Sequence, residues 1–134
     1  MAEPAAFFDT NVLLYLLSAD AAKADRAEEL LAAGGVVSVQ VLNEFVSVAG
    51  RKLAMTWPEI RDCLGPLRAS LRVEPLTVET HDGALALAER YGVAFYDALI
   101  LSAARLAGCR TLYSEDLQDG QAFEGPLTVR NPFR

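Results

Sequence analysis

Four short stretches place acids where carboxylate chemistry matters: "FFDTN" at Asp9, "SVQVLNEF" at Glu44, "FYDALIL" at Asp97 and "LYSEDLQDG" at Asp116. Asp9 interrupts an apolar run from Phe7 to Leu17, where an uncompensated carboxylate is costly. If acids this far apart in sequence meet, they repel. Two charges ~5 Å apart at an effective dielectric near 20 cost roughly 3 kcal/mol. Protonation or a bound cation relieves that cost. Oxygen donors without His or Cys beside them favour Mg²⁺ or Mn²⁺ over zinc. Such ions activate water and stabilise in-line attack on a phosphate.

The surrounding elements decide whether the acids can meet. "AAFFD" reads as a short buried strand, continued directly by a helix over "TNVLLYLLS". "ADRAEELLAAGG" reads as a helix ended by Gly34 or Gly35, and "GVVSV" as a second buried strand. From Ser38 the period changes: Val41, Phe45, Val48 and Ala49 share one helix face. "TWPE" holds a capping box, Thr56 with Glu59, for a helix that Pro66 should kink or divide. "LRVEPLT" is a weaker third strand. "VETHDGALALAERYG" and "FYDALILSAARLAG" are helices closed by Gly92 and Gly108. "CRTLYSED" is a strand running into the polar loop "SEDLQDGQ", and "PLTVRNP" is the last strand.

Strands alternating with helices predict an α/β fold with a mostly parallel sheet. Ligands of such sheets bind outside the carboxyl ends of the strands. Asp9 and Asp116 follow strands directly. Glu44 lies about one and a half turns into a helix that follows one. Asp97 begins a helix, whose positive end favours an acid. All four can therefore face one mouth. Singly, each has a plainer role. Asp9 could cap its helix, Glu44 could be a solvated helix residue, Asp97 a dipole partner and Asp116 a turn residue beside Glu115 and Asp119. His81 reads as a surface residue, and Trp57 and Tyr96 as packing residues.

The four stretches, in this order and on these elements, resemble the PIN-domain ribonucleases, particularly the VapC-like toxins of bacterial toxin–antitoxin modules. The likeness lies in the opening D-x-N, the Q-x-x-x-E helix, the YDA-type helix start and the S-x-D loop. It implies a three-layer α/β/α domain and a metal-dependent endoribonuclease that leaves a 3′-hydroxyl and a 5′-phosphate. It implies that Asp9, Glu44, Asp97 and Asp116 form the acidic site. Asp9 and Asp97 would be the main Mg²⁺ ligands, Mn²⁺ being a substitute, with Asp116 and Glu44 completing the site. Asn11 and Ser114 would orient those acids and their waters. Glu115 and Asp119 are close enough in sequence to contribute. The resemblance also implies a homodimer and a small VapB-like antitoxin as partner.

Two other phosphate-handling families fit less well. Haloacid-dehalogenase-like phosphatases need a second Asp where Asn11 stands, and response-regulator receivers need a late Lys, whereas the last Lys here is Lys52. A PIN-like module that binds RNA or protein without cutting is the alternative from another class, and Mg²⁺- or Mn²⁺-dependent cleavage of RNA separates the two. Single-stranded or looped RNA is the expected substrate, since its bases are accessible. Arg51, Lys52 and Arg105 are the candidate phosphate contacts.

At 134 residues the chain suits a single domain spanning 1–134, and its 52% apolar content reads as globular. The net charge of −6 looks wrong for a nucleic-acid partner, but setting aside four acids held at a metal leaves −2. Cys63 and Cys109 fit no zinc spacing and read as reduced thiols of a cytoplasmic protein. No apolar run approaches the roughly 20 residues of a membrane helix, and the start lacks the basic region of a signal peptide.

Overall fold

The computed structural model describes residues 5–134. The first four residues of the expected domain, and the start on which the leader reading rests, lie outside them. Six strands form one sheet: β1 (Phe7–Phe8), β2 (Val36–Ser38), β3 (Arg72–Glu74), β4 (Thr111–Tyr113), β5 (Ala122–Phe123) and β6 (Leu127–Arg130). Their order is β3-β2-β1-β4-β6-β5, and every pairing is parallel except β5 with β6. Successive residues of a strand point to opposite faces. Phe7 and Phe8 are both buried, as are Val36 and Val37, so the central strands are covered on both sides. This is the packing of a parallel sheet between helical layers, as expected from the sequence.

The helices are α1 (Thr10–Leu14), α2 (Ala21–Ala32), α3 (Val39–Lys52), α4 (Trp57–Ser70), α5 (Val78–Tyr91) and α6 (Phe95–Leu106). The last turn of the segment after Asp9 tightens to a 3₁₀ helix at Tyr15–Leu17. Ser38 starts α3 by accepting the Val41 amide at 3.2 Å. Thr56 and Glu59 close the expected capping box on α4. Gly35 lets β1 and β2 meet: a Cβ there would stand 2.5 Å from the Phe8 ring and 2.6 Å from the Ala6 carbonyl.

Three expectations need correction. Pro66 does not divide its helix; α4 runs unbroken past it. Asp62, whose carbonyl Pro66 cannot satisfy, is exposed, so water can take the place of the missing amide. Trp57 is not a packing residue but is 66% exposed at the start of α4. The loop after β4 contains a strand the sequence reading lacks, β5, which forms a hairpin with β6 and buries Phe123. No helix among the described residues is long and apolar enough to cross a membrane.

Candidate active site

The chain runs outward from β1 to β2 and β3, then returns to place β4 on the other side of β1. The connections leaving β1 and β4 therefore diverge, and a crevice opens at the carboxyl ends of these two strands. Asp9 follows β1 there, and Ser114 and Asp116 follow β4. The helix after β2 brings Glu44, and the first turn of α6 brings Asp97. All four predicted acids line one cleft of about 530 Å³.

Asp9 forms its floor and is only 3% exposed. Its Oδ1 accepts the Thr10 amide at 2.7 Å, and its Oδ2 accepts the Ser114 hydroxyl at 2.7 Å and, more weakly, the Asn11 amide at 3.5 Å. Asp9 is also the N-cap of α1, so the capping role and the site role coincide in one side chain. Burial pushes its pKa up from 3.8 to about 6. The bonds from Ser114 and Thr10 oppose that rise, and the charges of Asp116 and Glu44 add to it.

Glu44 is half-buried and accepts the Thr10 hydroxyl at 3.1 Å. Burial raises its pKa; the Thr10 bond opposes the rise, and Asp97 and Asp116 add to it. Burial and then the Asp116 charge raise Asp97 likewise. The acids thus sense one another, but desolvation outweighs repulsion. Ser114 ties the site together, since its Oγ also accepts the amides of Asp116 and Leu117 at 3.2 and 3.4 Å. Asn11 accepts the Glu115 amide at 3.2 Å and so fixes the β4 loop against α1.

Thr10 is the residue that the sequence reading missed. It touches two of the acids, one through its amide and one through its hydroxyl. Its signal was its place directly after Asp9 in a helix's first turn, where Thr alone looks like a helix-start residue. Glu115 lines the cleft, but its carboxylate is bound by the Tyr15 hydroxyl and by Lys23 at 3.5 Å. Asp119 is turned away, accepting the Asn131 amide at 2.7 Å.

Of the three predicted phosphate contacts, only Lys52 reaches the cleft. Arg51 folds back on Ser47, bonding its hydroxyl at 3.1 Å, in a neighbouring hollow. Arg105 lies in a separate hollow with Glu79, Asp82 and Ser102, its Nε buried without a partner among the described residues. Tyr96, read as a packing residue, is 64% exposed beside the cleft.

The lining offers carboxylate oxygens and no His or Cys, the donor chemistry of a hard divalent ion. Among the described residues, no three of these acids stand close enough to cage an ion by themselves. Mg²⁺ keeps several of its waters and takes one or two protein carboxylates directly, so a spread set of acids still fits it.

Residues 6–118 match the family described as PIN domain. The chain belongs to that family. Solved structures share its fold. VapC20 of Mycobacterium tuberculosis, described as a sarcin-ricin-loop-cleaving toxin, is 23% identical over 83% of this chain and 89% of its own, with a TM-score of 0.68. A chain of a toxin–antitoxin complex from Klebsiella pneumoniae is 24% identical over 95% of this chain and 97% of its own, with a TM-score of 0.71. VapBC2 of Rickettsia felis, solved with promoter DNA, gives 19% identity, 94% and 97% coverage and a TM-score of 0.67. No curated protein sequence matches the chain.

Proposed function

We propose that this protein is a metal-dependent endoribonuclease and the toxin of a toxin–antitoxin pair. The observation that carries the reading is the convergence of Asp9, Glu44, Asp97 and Asp116 from four separate elements on one cleft. Membership of the PIN domain family supports nuclease chemistry, and the cleaving toxin among the similar structures supports RNA as substrate. Asp9, Asp97 and Asp116 would hold Mg²⁺, or Mn²⁺ in its place, with Glu44 completing the set. The bound ion would neutralise the phosphate and make its water acidic.

The chain's own residues supply the rest. Ser114, Thr10 and Asn11 hold Asp9 in one orientation, so no rotamer freedom is lost when the site loads. Thr10 fixes one oxygen of Glu44 and leaves Oε2 to take a proton from the attacking water. Lys52 is the cation at the cleft and would draw in the phosphate.

The toxin–antitoxin complexes among the similar structures support a small VapB-like antitoxin as partner. A homodimer and the cytoplasm complete the reading, with the described chain acting as one PIN-like domain.

The test is cleavage of total RNA with Mg²⁺ or Mn²⁺, with chelator as control. Asp97→Asn keeps the shape of the side chain and removes its charge. Cleavage should fall by roughly two orders of magnitude or more, while the circular-dichroism spectrum stays that of wild type. A variant that still cuts at the wild-type rate would remove Asp97 from the site.

A further inference from the structure

Beside the acid cleft lies a second hollow of about 270 Å³, lined by Gln40, Asn43, Glu44, Ser47 and Tyr96. It is joined to the cleft through Glu44, which lines both. Tyr96 precedes Asp97 at the start of α6, so one helical turn presents an acid to the cleft and an aromatic ring to the hollow.

Gln40 is the unusual member. It is a polar side chain only 8% exposed, and it has no hydrogen-bond partner among the described residues. Its amide atoms are not sealed in the core but open on the hollow, where water satisfies them until a ligand takes its place. The acid site makes no use of it, although Gln40 and Glu44 lie one turn apart on α3. Tyr96 is equally unexplained by packing, since most of its ring is open to solvent.

We propose that this hollow is a nucleobase pocket, which takes an unstacked base next to the phosphate held at the acid cleft. It rests on the ribonuclease reading and adds a base preference to it. Tyr96 supplies the flat apolar surface on which a base stacks, an interaction tolerant of sequence and strong in single strands. The Gln40 amide offers one donor and one acceptor side by side, a pattern that pairs with N6 and N7 of adenine. Asn43 and Ser47, exposed on the next turns of α3, reach the sugar or the outer edge of the base. Adenine is therefore the expected occupant.

The test measures binding apart from cutting. Fluorescein-labelled single-stranded oligoribonucleotides, identical but for A, C, G or U at one position, are titrated by anisotropy with Mg²⁺ present. The protein is Asp97→Asn, alone and combined with Gln40→Leu, Tyr96→Ala or Tyr96→Phe. The A oligonucleotide should bind tightest. Tyr96→Ala should weaken every oligonucleotide about tenfold, in line with the stacking energy of one base, and Tyr96→Phe should restore binding. Gln40→Leu should erase the preference among bases while leaving the weakest ligand unaffected. Equal affinities for all four oligonucleotides, unchanged in both the Gln40→Leu and Tyr96→Ala backgrounds, would overturn the pocket. A preference for another base that Gln40→Leu also erases would keep the pocket and overturn adenine. Wild-type protein that binds with the predicted pattern but cuts none of the oligonucleotides would retain the pocket and sink the ribonuclease reading instead.

Discussion

Asp9 meets two demands with one carboxylate. It caps α1 through the Thr10 amide, and it presents a charge at the floor of the cleft. The folded state holds that charge with almost no water, so its pKa lies at about 6 against an ordinary 3.8. A raised carboxylate favours the folded state most below its unfolded pKa, and that contribution is lost as pH rises through the folded value. The difference of about two units is worth on the order of 3 kcal/mol. Glu44 and Asp97 shift in the same direction. In chelator, the melting temperature should therefore climb as pH falls from 7.5 towards 5. Asp9→Asn should melt higher than wild type at pH 7.5 and lose that advantage by pH 5. Parallel pH profiles for the two proteins would mean that Asp9 is not the group responsible. The sequence disclosed Asp9 because an Asp inside an apolar run is out of place there, and Glu44, Asp97 and Asp116 because their stretches follow it in the order of the PIN-domain motifs. It did not disclose Thr10 or Tyr96, whose roles depend on which neighbour the fold supplies. Nor did it disclose that Arg105 faces another hollow, since the direction of a helix face is set by packing across the sheet.

At the scale of elements, apolar runs and turn residues carried most of the information. β1 and β2 were legible as short hydrophobic stretches, and α3, α5 and α6 by their period and their closing residues. β5 was not, because two residues with one buried side chain have no period to read. Pro66 was over-weighted, because its effect depends on whether the carbonyl it abandons can reach water. The junction of β1 and β2 is a sharper constraint than the sequence suggests. Gly34 and Gly35 are adjacent, but only Gly35 lies against its neighbours; a Cβ at Gly34 meets nothing within 4 Å. Gly35→Ala should force the Phe8 ring or the Ala6 carbonyl aside and cost about 1–3 kcal/mol, as overpacked cores do. Gly34→Ala should cost only the backbone penalty of a positive φ, roughly 1 kcal/mol. Urea midpoints of the two variants decide this, with slopes equal to that of wild type. A Gly35→Ala protein as stable as wild type would mean that β1 and β2 can separate freely. Because Phe8 immediately precedes Asp9, the same substitution should also lower cleavage more than Gly34→Ala does.

At the scale of the whole molecule, two surfaces call for partners. Val78 and Leu85, seven residues apart on α5, are 77% and 53% exposed on one helix face. In the homodimer reading they meet a second copy, so Val78→Asp with Leu85→Glu should give monomers by sedimentation at concentrations where wild type is dimeric. A dimer that survives both changes would place the contact elsewhere.

The second surface is the cleft, whose partner in the proposed reading is a cation. A ligand bound only by the folded state adds RT ln(1 + [L]/Kd), about 2.7 kcal/mol at a hundredfold excess over Kd. For a chain of 134 residues, that corresponds to a rise of several degrees in melting temperature on adding saturating Mg²⁺ or Mn²⁺. General screening of a net charge of −6 would raise it too, so sodium chloride at matched ionic strength is the control. Protons compete with the ion for the same oxygens. The metal-dependent rise should therefore be large at pH 7.5, where Asp9 is ionised, and small at pH 5, where it is protonated. Asp9→Asn should shrink the rise at pH 7.5 and remove most of its pH dependence. Lys52→Ala should leave it intact, because an ammonium group cannot hold a cation and the proposed role of Lys52 is to meet phosphate. If wild type and Asp9→Asn gain equally from the metal at pH 7.5, the ion sits elsewhere, and the buried carboxylate at the end of β1 is only a helix cap.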